Sequence, residues 1–152
     1  MCALPFPSSD PFQLERFLAA QASDYLPALG EIRAGRKRTH WMWYIFPQFA
    51  GLGFSPMSRQ FAIGSRAEAV AYLAHPVLGE RLRECMEAAS RIEGKTARDI
   101  FGSPDDLKLR SCATLFAEVS PPGSVFERIL TRFYGGERDT ETLRLLAAAD
   151  AR

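Results

Sequence analysis

Helix start and stop signals follow one another along this chain at intervals of about ten to twenty residues, and that punctuation limits what it can fold into. Asp10-Pro11 pairs an N-cap with a proline at the first helical position, predicting a short helix that carries Phe12, Leu14, Phe17 and Leu18. Ser23 can cap a second helix with Tyr25, Leu26, Leu29 and Ile32, Pro27 falling in its first turn and Gly35 ending it. Ser65-Arg66-Ala67-Glu68 has the spacing of a capping box and opens a helix over residues 65–74. Pro76 kinks that helix or starts the next, where Val77, Leu78, Leu82, Cys85, Met86 and Ala89 recur at helical spacing. Thr96-Ala97-Arg98-Asp99 starts a single turn that Gly102 stops. Ser103-Pro104-Asp105-Asp106 supplies a cap, a first-position proline and two acids at the positive end of the next helix, which Pro121-Pro122-Gly123 ends. Ser124 begins a helix closed by Gly135-Gly136, and a last one spans residues 140–149.

Between these, GLGFSPMS at 51–58 reads as a loop and QFAI at 60–63 as a bridge or brief extended piece. The expected fold is all-α: one compact domain over residues 10–149, with seven or eight short helices and at most a minor extended segment. Residues 1–9 are expected to be a flexible N-terminal tail. A hydrophobic fraction of 47% and a charged fraction of 24% in 152 residues suit a soluble domain with a sizeable core.

Lys+Arg 19 against Asp+Glu 18 leaves a net charge of +1, so no general affinity for nucleic acid or anionic membrane follows, although a local patch stays open. Cys2, Cys85 and Cys112 match neither a disulfide framework nor a zinc pair, and read as free thiols in a reducing compartment. Cys85 and Cys112 fall on apolar helix faces, as inert core thiols do. The two histidines are far apart, so no metal site is implied, and His75 before Pro76 reads as a turn or cap residue. No apolar run spans a bilayer and the first residues lack the plan of a secretory signal, so a cytoplasmic place is expected. Walker-type and Rossmann glycine patterns are missing, so no cofactor is expected; Ser111 lacks a nucleophile elbow.

Two constellations remain. RKRTHWMWYIFPQF, residues 36–49, holds both tryptophans, one of the 2 histidines and no acid. Phe46 precedes Pro47, which favours a short helix ending near Ile45. Such a segment can be the core of a small domain, because large aromatic side chains anchor cores. It can also line a pocket, because indoles stack and guanidinium groups bind phosphate in pairs of hydrogen bonds.

The second constellation is SPDDLKLR, residues 103–110. On a helical wheel Asp105 lies near the apolar direction of Leu109 and Cys112, while Asp106 can pair with Arg110 four residues on. The acids either complement the helix dipole in solvent or face a pocket. On the pocket reading, His40 with Asp105 or Asp106 handles protons or ribose hydroxyls; Arg38, Lys108 and Arg110 hold phosphate; Trp41 or Trp43 stacks; and Gln48 supplies a further polar group.

Taken together, Asp10-Pro11-Phe12, Gly35-Arg36-Lys37-Arg38, His40-Trp41-Met42-Trp43, Phe46-Pro47-Gln48, Gly51-Leu52-Gly53, Tyr72-Leu73-Ala74-His75-Pro76 and Ile100-Phe101-Gly102-Ser103-Pro104-Asp105-Asp106 resemble the domain-of-unknown-function family 1810. The resemblance covers about residues 10–146 and implies one helical domain with no established reaction. Members often carry the label calpastatin. Calpain inhibition does not suit this chain, since calpastatins are disordered, repetitive and poor in aromatic residues. The order of the aromatic tract, the His-Pro stretch and the Asp-rich helix start is also distantly similar to NADAR proteins. That resemblance implies chemistry on N-glycosidic bonds of riboflavin intermediates and ADP-ribose conjugates. The glutamate that NADAR proteins carry beside their aromatic tract has no counterpart between Thr39 and Phe49.

The expectation is therefore a domain that binds, and on an enzymatic reading hydrolyses, a nucleotide or ADP-ribose-like phosphorylated small molecule between the two constellations. The alternative is a non-enzymatic module, structural or facing a protein partner. Nucleic acid, through Arg33, Arg36, Lys37 and Arg38, is the least favoured partner.

Overall fold

A computed structural model of the chain describes residues 9–151. The expected N-terminal tail falls, apart from Ser9, outside the described residues. The described chain is all-α, without a sheet. Its elements are α1 (Glu15–Arg33), α2 (Met42–Ile45), α3 (Pro56–Gln60), α4 (Arg66–Ala74), α5 (Leu78–Ser90), α6 (Ala97–Phe101), α7 (Asp105–Ala117), α8 (Val125–Tyr134) and α9 (Thr140–Asp150).

Two helices organise the packing. α5 lies against α1, α4 and α8, and α7 against α4, α6, α8 and α9. α7 is enclosed: Leu109 and every residue from Ser111 to Ala117 are buried. Aromatic rings tie the layers together. Phe17 meets Tyr72 edge-on at 5.1 Å, Tyr72 meets Phe116 at 5.5 Å, and Phe116 meets Phe126 at 5.7 Å. The thiols of Cys85 and Cys112 are buried in this core, and burial pushes that of Cys85 up to about 12.

Several caps form as expected. Ser65, Thr96 and Ser124 each accept the backbone N–H three residues on; Asp139, for which no cap was expected, does the same for α9. His75 acts as a cap through Nδ1, which accepts the amides of Val77 and Leu78 at 3.1 and 3.2 Å. The extended piece reduces to one parallel bridge between Phe49 and Ile63.

Other expectations are corrected. The two helices expected over residues 10–34 are one, with Pro27 inside it and Ser23 capping nothing. Its buried face, Phe17, Gln21, Tyr25, Ala28, Leu29 and Ile32, runs unbroken across the proline. Burial of that face outweighs the hydrogen bond that proline cannot donate. Asp10 does accept amides, those of Leu14 and Glu15, but across a turn rather than at a first-position proline. Inside the expected loop 51–58, Ser55 caps the one-turn helix α3. Ser103 does not cap α7; Pro104 holds that position without a side-chain bond.

Arg16 closes the N-terminal layer with all five of its N–H groups. It donates to the carbonyls of Phe12, Gln13, Gln60 and Ala62 and to the Glu68 carboxylate. Glu68 is therefore drawn to Arg16 and the Gly64 amide rather than back to Ser65, and the capping box is only half made.

Two glycines behave oppositely on substitution. A Cβ on Gly79 would stand 2.1 Å from the Leu73 carbonyl oxygen, whereas one on Gly30, exposed in the last turn of α1, meets nothing within 4 Å. Gly79→Ala is expected to lose about 1–3 kcal/mol of unfolding free energy by overpacking, and Gly30→Ala to gain roughly 0.5–1 kcal/mol. Urea denaturation of both variants checks the pair of signs.

Candidate functional site

The aromatic segment begins with a turn at Gly35, whose φ of +75° suits glycine. The residues after it are held by one carboxylate. Glu31 Oε1 accepts the Arg38 amide (2.7 Å), the Thr39 amide (3.0 Å) and the Trp41 indole N–H (2.9 Å), and Oε2 accepts the Thr39 hydroxyl (2.7 Å). Partial burial raises the Glu31 carboxyl, but hydrogen bonds from the Thr39 hydroxyl, the Arg38 and Thr39 amides and the Trp41 indole outweigh it, leaving a pKa of about 2. Sequence reading missed Glu31, whose signal is a lone acid in the last turns of a helix that precedes an acid-free stretch.

Trp41 is 1% exposed and lies against Phe46 and Phe101, so neither face of its ring is free to stack on a ligand. Filling the core takes that side chain, as the packing reading expected. α2 then carries Met42, Tyr44 and Ile45 inward and leaves Trp43 half-buried. The Tyr44 hydroxyl donates to Asp24.

The two constellations do meet. The Lys37 amide donates to the Ile100 carbonyl at 2.7 Å, which lays the segment along α6. Lys37 Nζ lies 3.0 Å from Asp105 Oδ2 and donates to the Thr39 carbonyl at 2.6 Å, with a side chain only 7% exposed. Lys108 Nζ lies 3.5 Å from the other Asp105 oxygen. Lys37 stands 5.0 Å from the centre of the Trp41 ring and Lys108 5.4 Å from that of Trp43. Asp105 is thus shared by two ammonium groups that each sit over an indole.

The remaining expected residues are placed differently. Arg38 and His40 are exposed, and no hydrogen bond or ion pair joins either side chain to Asp105 or Asp106. Arg110 does not pair with Asp106. Its guanidinium turns to Asp139 (3.8 Å) and the face of Tyr134, whose hydroxyl donates to the Asp106 carbonyl. Asp106 Oδ1 and Arg110 Nε are buried without a hydrogen-bond partner. A carboxylate at the C-terminal side of the fold has captured the cation, which spacing along one helix does not foretell.

Beside this junction is an open cleft of about 240 Å³. Gln48, Ser58, Lys108, Ser111 and Asp139 bring hydrogen-bonding groups to it from four separate parts of the chain. Leu107 is among its apolar walls. Gly51, at φ +103°, and Gly53, where a Cβ would stand 2.5 Å from Ser58 Oγ, make the GLG stretch a tight turn at the cleft edge. Asp139 is the second residue that sequence reading missed. It caps α9 through the Thr142 amide (3.0 Å), and its Oδ2 also accepts the Ser111 hydroxyl at 3.3 Å.

Residues 11–146 match the family described as "Protein of unknown function (DUF1810)". The chain belongs to this family. It is also similar to the conserved hypothetical protein Rv1873 from Mycobacterium tuberculosis, whose crystal structure aligns at 49% identity with a TM-score of 0.89, over 91% of this chain and 99% of that one. No curated protein matches the chain. Among the described residues, no helix is long and apolar enough to cross a membrane, and no three His, Cys, Asp or Glu side chains group as metal ligands.

Glu31→Gln is expected to weaken the bonds to Arg38, Thr39 and Trp41 and to cost about 1–3 kcal/mol at pH 7. The folded pKa lies below the ordinary value of 4.5, so the stability from Glu31 is present above about 4.5 and is lost as pH falls towards about 2. Denaturation of both proteins across that window should show their difference shrinking with falling pH.

Proposed function

We propose that this protein binds a phosphorylated small molecule of the nucleotide or ADP-ribose class, through a phosphate or ribose end seated in the Gln48–Lys108–Ser111–Asp139 cleft. The carrying observation is the convergence of these polar side chains from separate elements on one concavity, whose Lys108 also lies over the Trp43 ring. Lys108 supplies the cation for phosphate, Gln48 an amide, and Ser111 with Asp139 a hydroxyl-binding pair. Arg110 adds charge from behind Asp139. Ligand pockets usually hold about 300–1,000 Å³. A cleft of about 240 Å³ takes one end of such a molecule and leaves the remainder over the surface.

The geometry favours binding over hydrolysis. Asp105 is already held by Lys37 and Lys108, and Asp139 by Thr142 and Ser111, so neither is a free base for water. Arg38 and His40 stand apart from this cleft, and Trp41 is enclosed, so the binding set is smaller than the sequence suggested. A cytoplasmic place, expected from the free thiols, is consistent with metabolite binding.

One observation favours a protein partner instead. Leu107, in the cleft wall, is 52% exposed, and Phe54, next to the cleft residue Gly53, is 74% exposed. Apolar side chains at a cleft rim are common anchors for partner proteins.

Thermal unfolding with AMP, ADP-ribose and ribose 5-phosphate separates these readings. A ligand at about 100 times its Kd should add about 2.7 kcal/mol, a shift of several degrees. Lys108→Ala and Gln48→Ala should abolish the shift, while their unfolding without ligand stays near that of the parent protein. No shift with any of the three, or a shift that survives both substitutions, overturns the proposal.

A further inference from the structure

Asp139 reaches the cleft as a fixed group with one of its two oxygens in use. Its amide donates to the Thr114 hydroxyl at 2.8 Å, and its Oδ2 accepts the Thr142 amide (3.0 Å), the Thr142 hydroxyl (2.5 Å) and the Ser111 hydroxyl (3.3 Å). Thr114 and Thr142 are fully buried, so the carboxylate cannot turn without breaking bonds in the interior. Oδ1 accepts no hydrogen bond among the described residues, and the Arg110 guanidinium stands 3.8 Å from it, beyond hydrogen-bond reach. An acceptor with unused lone pairs is thereby held in a residue that lines the cleft.

Two more lining groups are unspent. The Gln48 side-chain amide makes no hydrogen bond among the described residues, while its backbone carbonyl is pinned by the Ile63 amide at 2.9 Å. Lys108 Nζ has Asp105 at 3.5 Å and the centre of the Trp43 ring at 5.4 Å as its neighbours, which leaves protons free to donate. Ser111, only 6% exposed, shares its proton between the Leu107 carbonyl (3.2 Å) and Asp139, so towards a ligand its oxygen accepts.

These groups are segregated along α7. Lys108 and Ser111 are three residues apart, so their side chains leave the same face about 5–6 Å from each other. Lys108 brings the cation at one end, beside Asp105, and Ser111 is joined to the Asp139 carboxylate at the other. A phosphate only accepts hydrogen bonds, so it suits the Lys108 end and is repelled at the Asp139 end. A hydroxyl both donates and accepts: one hydroxyl of a vicinal pair can donate to Asp139 Oδ1 while its neighbour exchanges a hydrogen bond with the Gln48 amide.

We infer that the cleft is specific for a ribose 5-phosphate unit, with the sugar diol on Asp139 and Gln48 and the phosphate towards Lys108, and that Asp139 is the residue that tells ribose from 2′-deoxyribose. The inference rests on a ligand of the nucleotide class and narrows it: the sugar, rather than the phosphate, takes the carboxylate end of the concavity. One turn of α7 is the order of distance that separates a ribose diol from its 5′-phosphate. A cleft of about 240 Å³ holds a sugar and leaves a base outside it. A site built to bond a hydroxyl rejects the analogue that lacks it, because its own polar group is then left unpaired. Because Asp139 is fixed before the ligand arrives, little free energy is lost in ordering it.

Isothermal titration calorimetry with AMP and 2′-deoxy-AMP, and with ribose 5-phosphate and 2-deoxyribose 5-phosphate, tests the inference. Each ribo compound should bind the parent protein at least about tenfold more tightly than its deoxy partner, the worth of one hydrogen bond to a charged group. In Asp139→Ser the members of a pair should bind within about twofold of each other, since serine caps a helix as well as aspartate does and its one oxygen stays on the Thr142 amide, removing the second acceptor. Lys108→Ala should weaken ribo and deoxy compounds by the same factor and leave their ratio intact. Equal binding of ribo and deoxy compounds by the parent protein overturns the inference and leaves a nucleotide-class ligand standing, as does inorganic phosphate that binds as tightly as ribose 5-phosphate. A ratio that persists in Asp139→Ser overturns the part given to Asp139. Absence of binding by all of these compounds overturns both readings. The ratio in the parent protein decides the inference whether or not the variant folds.

Discussion

The Glu31 carboxylate decides how the richest part of this sequence is used. It lies near the end of the longest helix among the described residues and gathers two amides, a hydroxyl and an indole from the ten positions that follow. Hydrogen bonds to a charged acceptor are stronger than neutral ones, and several on one carboxylate fix the path of the backbone. Because that path is fixed, the Trp41 ring enters the core, Lys37 turns towards α7, and Arg36 and Arg38 are left outside. The aromatic core and the Lys37–Asp105 joint thus share one anchor.

Asp105 is the second pivot. It lies in the first turn of α7, where a negative charge complements the helix dipole, and receives an ammonium group from each side. With Lys37 largely buried, this pair is a joint between the aromatic segment and α7 rather than a surface contact. The same joint brings Lys108 over Trp43 and to the cleft wall. Asp139 plays the matching part on the other side of the cleft. It caps α9, receives the Ser111 hydroxyl and draws Arg110 away from Asp106. Residues that hold helices together here also shape the concavity, which is why its polar groups are well positioned and partly occupied.

Much of the fold was legible. Ser65, Thr96 and Ser124 act over three residues of chain, a range in which local geometry decides the outcome. The all-α class and the short bridge follow from such signals. Pro27 was misread because its local cost is offset by a buried face running the length of α1, a sum over residues that no single position reports. Ser55-Pro56 started a real helix within a stretch rich in loop residues, and Ser103-Pro104 looked like a cap but forms none. In the site, the meeting of residues 36–49 with 103–110 was anticipated as a possibility from complementary composition. Its terms were not: Lys37 rather than His40 reaches Asp105, and of the two tryptophans only Trp43 keeps some exposure.

By itself, then, the sequence determined the class of fold, most helix boundaries and the family, because caps, turns and apolar periodicity act at short range. Only the tertiary structure decided which charges were spent and which were left. Ion pairs such as Lys37–Asp105 and Arg110–Asp139 join residues far apart in the chain, and their partners are chosen by packing. Five polar side chains from separate parts of the chain share a cleft for the same reason. Charge pairing depends on distance in space, and distance in space is set when α5 and α7 bury their faces.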